Sequence, residues 1–237
     1  MKAHRRECEL VIFDCDGVLV DSELLSARAY AELLAELGVA APEGVLQGCI
    51  GLKQADIFAR VEAATGRAIA PADRALLWPR TRALFAAELT PTPRLVPFLD
   101  RLRLARCVAS SSFDERIRFS LEATGLRGYF GDAIFSAYSV AHGKPAPDIF
   151  LHAAKAMGAH PERCVVIEDS VPGVEGAVAA GMTAIGFLGG MHVEPGHAER
   201  LTGAGASLAA ASWNDVERWL ASDGWRATSG VSSRTRI

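Results

Sequence analysis

The stretch FDCDGVLVDSE, Phe13 to Glu23, decides how the rest of the chain is read. It continues Leu10, Val11 and Ile12 without a break, and such an uninterrupted apolar, β-branched and aromatic run is the pattern of a strand covered on both faces. Four acidic residues, Asp14, Asp16, Asp21 and Glu23, then crowd the end of that strand. Open α/β folds bind ligands just outside the carboxyl ends of their parallel strands, so carboxylates at this point face the place where chemistry is done.

Composition narrows the kind of ligand. Half of the 237 residues are apolar and 22% are charged, the make-up of an ordinary globule with enough chain for one large domain or two small ones. A formal charge of −3 supplies no broad basic field for nucleic acid or anionic lipid, which leaves a small molecule as the expected partner. The five cysteines, Cys8, Cys15, Cys49, Cys107 and Cys164, are scattered without a CxxC pair, which fits a reducing compartment. The basic MKAHRREC segment passes into the first strand with no apolar signal region, and no apolar run reaches membrane length. The expectation is a cytoplasmic protein with no membrane and no nucleic-acid role.

Outward from the opening stretch, Leu24, Leu25, Ala29, Leu33, Leu34 and Leu37 recur at helical spacing and end at Gly38, a residue suited to a helix C-terminus. From Ala40 to Pro93 the pattern stays helical, with IFARVEAATG and ADRALLWPRTRALFAAEL as its clearest pieces. TPTPR, from Thr90, reads as a stiff hinge because its prolines cannot continue a helix. Strand and helix then alternate: LVPFLDRLR, RCVASSS, a helix over 114–124, DAIFSA, a helix over 147–157, RCVVIEDS, a helix over 171–180, TAIGFL and a helix over 213–220. Such alternation implies a parallel sheet wrapped by right-handed crossovers. The predicted fold is α/β, a Rossmann-like parallel-sheet core from 1–22 and 94–222, interrupted by an all-helical cap over 23–93. The tail 223–237 is expected to be flexible.

The later strands repeat the oddity of the first. CVA ends in Ser110, Ser111 and Ser112, whose hydroxyls and N–H groups share the edge of Asp14 and Asp16; VVI ends in Glu168 and Asp169; GKPAPD holds Lys144 in a rigid loop just before a helix. Asp-Cys-Asp-Gly does not read as a calcium loop, because the EF-hand places its glycine sixth and Gly17 is fourth. A phosphoaccepting receiver domain also uses an aspartate, a hydroxyl and a lysine, but its acidic pair precedes its nucleophile, whereas here the order is reversed.

In this order, FDCDG, the Ser110 strand end, Lys144 of GKPAP and the IEDS of Glu168 and Asp169 resemble the four motifs of the haloacid dehalogenase superfamily. The helical insertion after the first motif is similar to the cap of its β-phosphoglucomutase-like branch. What the resemblance implies is a Mg²⁺-dependent phosphatase acting on a small phosphate ester, with Asp14 as nucleophile. It implies metal ligation by Asp14, by the backbone carbonyl of Asp16 and by Asp169, with Glu168 acting through water. Asp16 would protonate the leaving group and then activate water, while Ser110, Ser111 and Lys144 would bind the phosphoryl oxygens. The charges agree, since a phosphate dianion beside a carboxylate suffers roughly 4 kcal/mol of repulsion per charge pair at about 4 Å and an effective dielectric of ~20. Cations are therefore required.

For the leaving group, counting from FDCDG puts Ser26 where the branch's hexose phosphomutase carries an assisting histidine, and all six histidines lie outside 23–93. That favours hydrolysis, with a hexose phosphomutase or a phosphoglycolate or nucleotide phosphatase as the alternatives. The turn GLKQADIF resembles that of bacterial 6-phosphogluconate phosphatases and makes Gly51 and Lys53 the candidate specificity residues for a sugar or sugar-acid phosphate.

Overall fold

A computed structural model of the chain describes residues 6–42, 44–49, 51–222 and 225–227. Strands β1 (Arg6–Cys8) and β2 (Leu10–Phe13) open the chain. The inserted helices α1 (Glu23–Glu36), α2 (Gln54–Thr65), α3 (Pro71–Ala75) and α4 (Leu77–Glu88) follow. Then come α5 (Leu95–Arg101), β3 (Ala105–Ser110), α6 (Asp114–Ala123), α7 (Arg127–Phe130), β4 (Ile134–Ser136) and α8 (Asp148–Met157). The chain continues through β5 (Cys164–Glu168), α9 (Val171–Ala179), β6 (Thr183–Phe187), α10 (His197–Gly203), β7 (Leu208–Ala210), α11 (Trp213–Leu220) and β8 (Trp225–Ala227).

The main sheet has six parallel strands in the order β4-β3-β2-β5-β6-β7. This is the Rossmann-like α/β fold expected. The chain winds outward from β2 to one side through β3 and β4, then returns to the other side through β5, β6 and β7. The reversal falls at β2, so the crevice between diverging connections opens directly beyond Phe13. Phe13 pairs with Val108 on one side and Ile167 on the other, and this register brings the ends of β2, β3 and β5 to one edge.

Alternation along the strands sorts the core into two layers. Val11, Phe13, Val108, Val165 and Ile167 pack with Phe98, Ile117, Phe130 and Trp213 on one face, while Leu10, Ile12, Cys107, Cys164 and Val166 pack with Ile149, Phe150 and Val174 on the other. Both faces are dry, which is why these strands carry no polar alternation. The inserted helices have a cluster of their own, built from Ala29, Tyr30, Leu33, Leu34, Phe58, Val61, Ile69 and Leu77. Phe85 and Leu89, at the end of α4, join the sheet's cluster instead.

Some elements differ from the pattern read in the sequence. ADRALLWPRTRALFAAEL is two helices broken at Leu76. Pro79 has no N–H to give to the carbonyl four residues earlier, so the helix restarts with Pro79 in its first turn, where that donor is not needed. The helices α7 and α10 and the strand β7 were not expected. Of the tail expected to be flexible, 225–227 form β8, parallel to β1, and the rest lies outside the described residues. The TPTP segment is pinned: Asp21 N–H donates to Thr90 O at 3.0 Å, Thr92 N–H to Leu19 O at 3.0 Å, and Thr92 Oγ1 to Val18 O at 2.7 Å. The indole N–H of Trp213 closes the set on Thr92 Oγ1 at 3.0 Å.

Candidate active site

Asp14 is the first residue beyond β2, and its N–H continues the ladder to Ile167 O at 3.0 Å. Its carboxylate Oδ1 accepts from Lys144 Nζ at 2.6 Å, and the same ammonium contacts Glu168. Lys144 arrives from the loop before α8, and its side chain is 1% exposed. Glu168, at the end of β5, also accepts from the Ser170 hydroxyl at 2.8 Å and the Ser170 N–H at 3.0 Å. Ser170 Oγ in turn caps α9 by accepting from Gly173 N–H at 3.1 Å. Glu168 is thus held by Ser170 in a position that aims Lys144 at Asp14.

Three donors hold Asp16. Ser22 Oγ and Arg116 Nη2 donate to its Oδ1, and Ser112 Oγ to its Oδ2, each at 2.7 Å. Burial pushes this carboxyl up, yet the Arg116 charge and the two hydroxyls outweigh burial and keep it below the ordinary aspartate range. Asp14 and Asp169 go the other way. Burial is the main cause for both, and acidic neighbours add to it, so both carboxyls sit well above the usual range despite Lys144. Burial alone would lower the Lys144 ammonium, but Asp14 and Glu168 more than compensate and keep it firmly charged.

Asp169 is the least satisfied group. Its Oδ2 is buried with no hydrogen-bond partner among the described residues, although His192 Nε2 lies 2.9 Å away in an ion-pair position without hydrogen-bond alignment. Gly17 makes room for that carboxylate: at φ +75° it has the left-handed backbone glycine tolerates, and a Cβ there would stand 1.9 Å from Asp169 Oδ2. An orphaned carboxylate oxygen beside a second, destabilised carboxylate suits a hard divalent cation. Among the described residues no three His, Cys, Asp or Glu side chains converge as a complete cage. Backbone carbonyl and water oxygens would have to complete the shell, which is ordinary for Mg²⁺.

Ser110 is buried at the end of β3, and its Oγ accepts from Ser112 N–H at 3.1 Å. Ser111 Oγ donates to Gly51 O at 2.7 Å, so this hydroxyl ties the sheet edge to the inserted helices and leaves the Ser111 N–H as its other donor. Asp14, Asp16, Ser110, Ser111 and Gly51 line a single cleft of about 1110 Å³ between sheet edge and inserted helices; Lys144, Glu168 and Asp169 are outside that lining, and Lys144 joins Glu168 to Asp14 from behind. Lys53 is not in that lining. Its side chain lies against Gly143, with the ammonium 5.5 Å from the centre of the Tyr138 ring.

Ser112, read at this edge from the sequence, donates to Asp16; Arg116, Ser22 and His192 complete the site, and none of these three was expected from the sequence. Arg116 leaves one trace there: it is the third residue of α6, in the positive first turn, where a cation is electrostatically out of place. His192 comes from the connection after β6, and no local pattern brings it to Asp169.

The model of the haloacid dehalogenase-like hydrolases matches residues 8–181. The chain is 33% identical over 189 residues to 6-phosphogluconate phosphatase of Escherichia coli, covering 79% of this chain and 86% of that protein. It is 34% identical over 181 residues to a fructose-1-phosphate phosphatase of Escherichia coli, covering 74% and 94%. Among solved structures, a haloacid dehalogenase family hydrolase of Deinococcus radiodurans with bound phosphate and sodium superposes with a TM-score of 0.73 at 31% identity, over 92% of this chain and 97% of that one.

Proposed function

The chain belongs to the haloacid dehalogenase-like hydrolases, and on that premise we propose that it hydrolyses a small phosphorylated sugar or sugar acid through an aspartyl phosphate on Asp14. The observation that carries this reading is the 2.6 Å contact of Lys144 Nζ with Asp14 Oδ1 beside a cleft large enough for a hexose. A carboxylate attacking a phosphate dianion needs positive charge beside it, and Lys144 is buried, charged and aimed. The names of the two Escherichia coli relatives support a sugar-derived ester.

In this reading Asp14 attacks phosphorus, the bond to the leaving oxygen breaks, and Asp16 supplies the proton that oxygen needs. Water then attacks the aspartyl phosphate, with Asp16 taking its proton, and Asp14 is released with inorganic phosphate. The resting Asp16, ionised by Arg116, Ser22 and Ser112, suits the second half as it stands. For the first half it has to loosen its hold on Arg116 and carry a proton. The N–H groups of Ser111 and of residues 15–16, with Ser110, face the transferring oxygens. The side chains of Asp14 and Asp169 and the carbonyl of Asp16 would hold Mg²⁺, with Glu168 reaching it only through water. When bound, that ion offsets the dianion's charge and polarises a phosphoryl oxygen.

The phosphomutase alternative lacks its assisting base, because Ser26 occupies that place and its Oγ accepts from Arg116 Nη2 at 2.9 Å. A panel of sugar phosphates, sugar-acid phosphates, phosphoglycolate and nucleotides, assayed for inorganic phosphate with Mg²⁺ and with EDTA, tests the reading. Phosphate release from sugar-derived esters that EDTA abolishes is expected. Isomerised sugar from glucose 1-phosphate, or no phosphate from any ester, would overturn it.

A further inference from the structure

The reading of Asp169 as a metal ligand leaves its neighbour His192 without a task, and the two side chains share one anomaly. They are 3% and 4% exposed, and among the described residues neither Asp169 Oδ2 nor His192 Nε2 has a hydrogen-bond partner. Two buried polar atoms left open side by side are costly unless something else satisfies both. A hydrogen bond between them would do so at their separation of 2.9 Å, but the ring nitrogen is not aimed at the oxygen.

A shared cation accounts for both the separation and the misalignment. Neighbouring ligands of an octahedral divalent cation, each about 2.1 Å from the metal, lie about 3.0 Å from each other, whereas a tetrahedral site would spread them to about 3.4 Å. Each donor then points at the cation, about 45° away from the other donor, which forbids a straight hydrogen bond between them.

The surroundings hold the pair at this point. A Cβ on Gly17 would stand 1.9 Å from Asp169 Oδ2 and 2.9 Å from His192 Cε1, so both side chains rest on the residue whose peptide bond carries the Asp16 carbonyl. Gly190 lets the connection that bears His192 come this close, since a Cβ there would lie 2.8 Å from Gly17 O and from His192 Nδ1. Met191 N–H ties the same connection to Asp21 Oδ1 at 2.9 Å. Arg200 Nη2 donates to His197 Nδ1 at 2.9 Å, which leaves His197 Nε2 to donate to the Asp169 carbonyl at 2.6 Å. One segment thus fixes the Asp169 main chain and brings an imidazole to its carboxylate.

We propose that His192 is a ligand of the divalent cation, adding a nitrogen through Nε2 to the oxygens of Asp14, Asp169 and the Asp16 carbonyl. The inference rests on the metal site of the phosphatase reading and adds a cation preference. An imidazole ligand favours Co²⁺ over Mg²⁺, which takes oxygen donors, so His192 should tilt the site toward Co²⁺.

The test reads the metal, without substrate. Metal-stripped full-length protein is loaded with Mn²⁺ and studied by pulsed electron paramagnetic resonance, which detects the nitrogen of a directly bound imidazole. The wild type should show that coupling, and His192→Ala and His192→Asn should lose it. Calorimetric titration with Co²⁺ and with Mg²⁺ should find the preference for Co²⁺ reduced about tenfold or more in the same variants, at least what loss of a merely orienting partner costs. Both cations meet the same variant, so a general loosening of the site cancels in the ratio. Should His192→Ala fail to fold, His192→Asn, which keeps a polar side chain, carries the comparison. No nitrogen coupling in the wild type, coupling that survives in the variants, an unchanged preference, or no binding of Mn²⁺ at all would each overturn the proposal. The two readings fail separately. If the coupling comes from His192 but no phosphate ester is hydrolysed, ligation stands and the phosphatase reading falls; if Mg²⁺ supports hydrolysis and the coupling is missing, ligation falls alone.

Discussion

The carboxyl edge of the sheet and the seam with the inserted helices both border the cleft, but they are organised differently. At the edge, Asp14, Lys144, Glu168 and Ser170 form one chain of buried contacts in which nearly every polar atom is used. Across the seam, hydrogen bonds such as Ser111 to Gly51, Arg116 to Ser26 and the Trp78 indole donating to Glu115 at 3.0 Å stand beside ring contacts of Trp78 with Phe113 and Phe119 and of Arg82 with Phe119. Buried carboxylates in low dielectric call for donors or cations at their oxygens, a demand left open at Asp169 Oδ2, whereas a seam that admits and releases a ligand works with contacts that can part. In the proposed reading the chemistry belongs to the edge and the selectivity to the seam.

The largest effect should come from breaking the edge. Lys144→Met leaves Asp14 and Glu168 buried without their cation, so a loss of about 3–5 kcal/mol in urea unfolding is expected, together with loss of turnover beyond a thousandfold. Retained stability and turnover would mean that Lys144 organises nothing. Next in size, Phe58→Ala empties the centre of the inserted helices' own cluster, at a cost of about 3–5 kcal/mol. Hydrogen exchange should then quicken in α1, α2 and α4 while β2, β3 and β5 stay protected. Uniform quickening would show that the two cores open together.

The contrast also explains how much was legible in the sequence. The six parallel strands could mostly be read because a strand buried on both faces is an unbroken apolar run, as in Leu10–Phe13 and Cys164–Ile167. The strand β7 could not, because Leu-Ala-Ala carries no β signature, and α10 is a seven-residue helix with little apolar periodicity. Asp14, Lys144, Glu168 and Asp169 were legible because each sits at a strand end or in a proline-fixed loop, so that chain direction alone aims it. Arg116 and His192 were not, since their roles come from packing between elements distant in sequence. Lys53 shows the limit from the other side: the turn that carries it was identified, but the backbone at this helix N-cap sends the side chain toward Tyr138.

A smaller effect should sharpen the account of the seam. Gly51 has φ +81°, and a Cβ there would lie 2.4 Å from Ser170 Oγ, so Gly51→Ala both strains the turn and pushes it off the sheet edge. KM for a sugar phosphate should rise several-fold while p-nitrophenyl phosphate, which needs less of the seam, changes little. Equal losses on both would place Gly51 in folding.

The smallest effect is one of pH. Burial first, then the charges of Asp169 and Asp16, raise the Glu23 carboxyl from its ordinary 4.5 to about 8. A group whose pKa is higher in the folded chain than in the unfolded one favours folding when protonated. Metal-free protein should therefore lose stability as pH climbs from the ordinary glutamate range through about 8, with Tm a few degrees lower at about pH 8.5 than at about pH 6. Glu23→Gln should flatten part of that slope, and an unchanged slope would remove Glu23 from the account.

The central claim, that Asp14 carries the phosphoryl group, is tested most directly by trapping it. Asp16→Ala should slow hydrolysis of the intermediate more than its formation, so acid quenching during turnover of a sugar phosphate, followed by peptide mass spectrometry, should find one phosphoryl group on Asp14. The Asp14→Asn protein, folded and with unchanged Tm, should carry none and release no phosphate. A phosphoryl group on any other residue, or near-wild-type turnover by Asp14→Asn, would contradict the account.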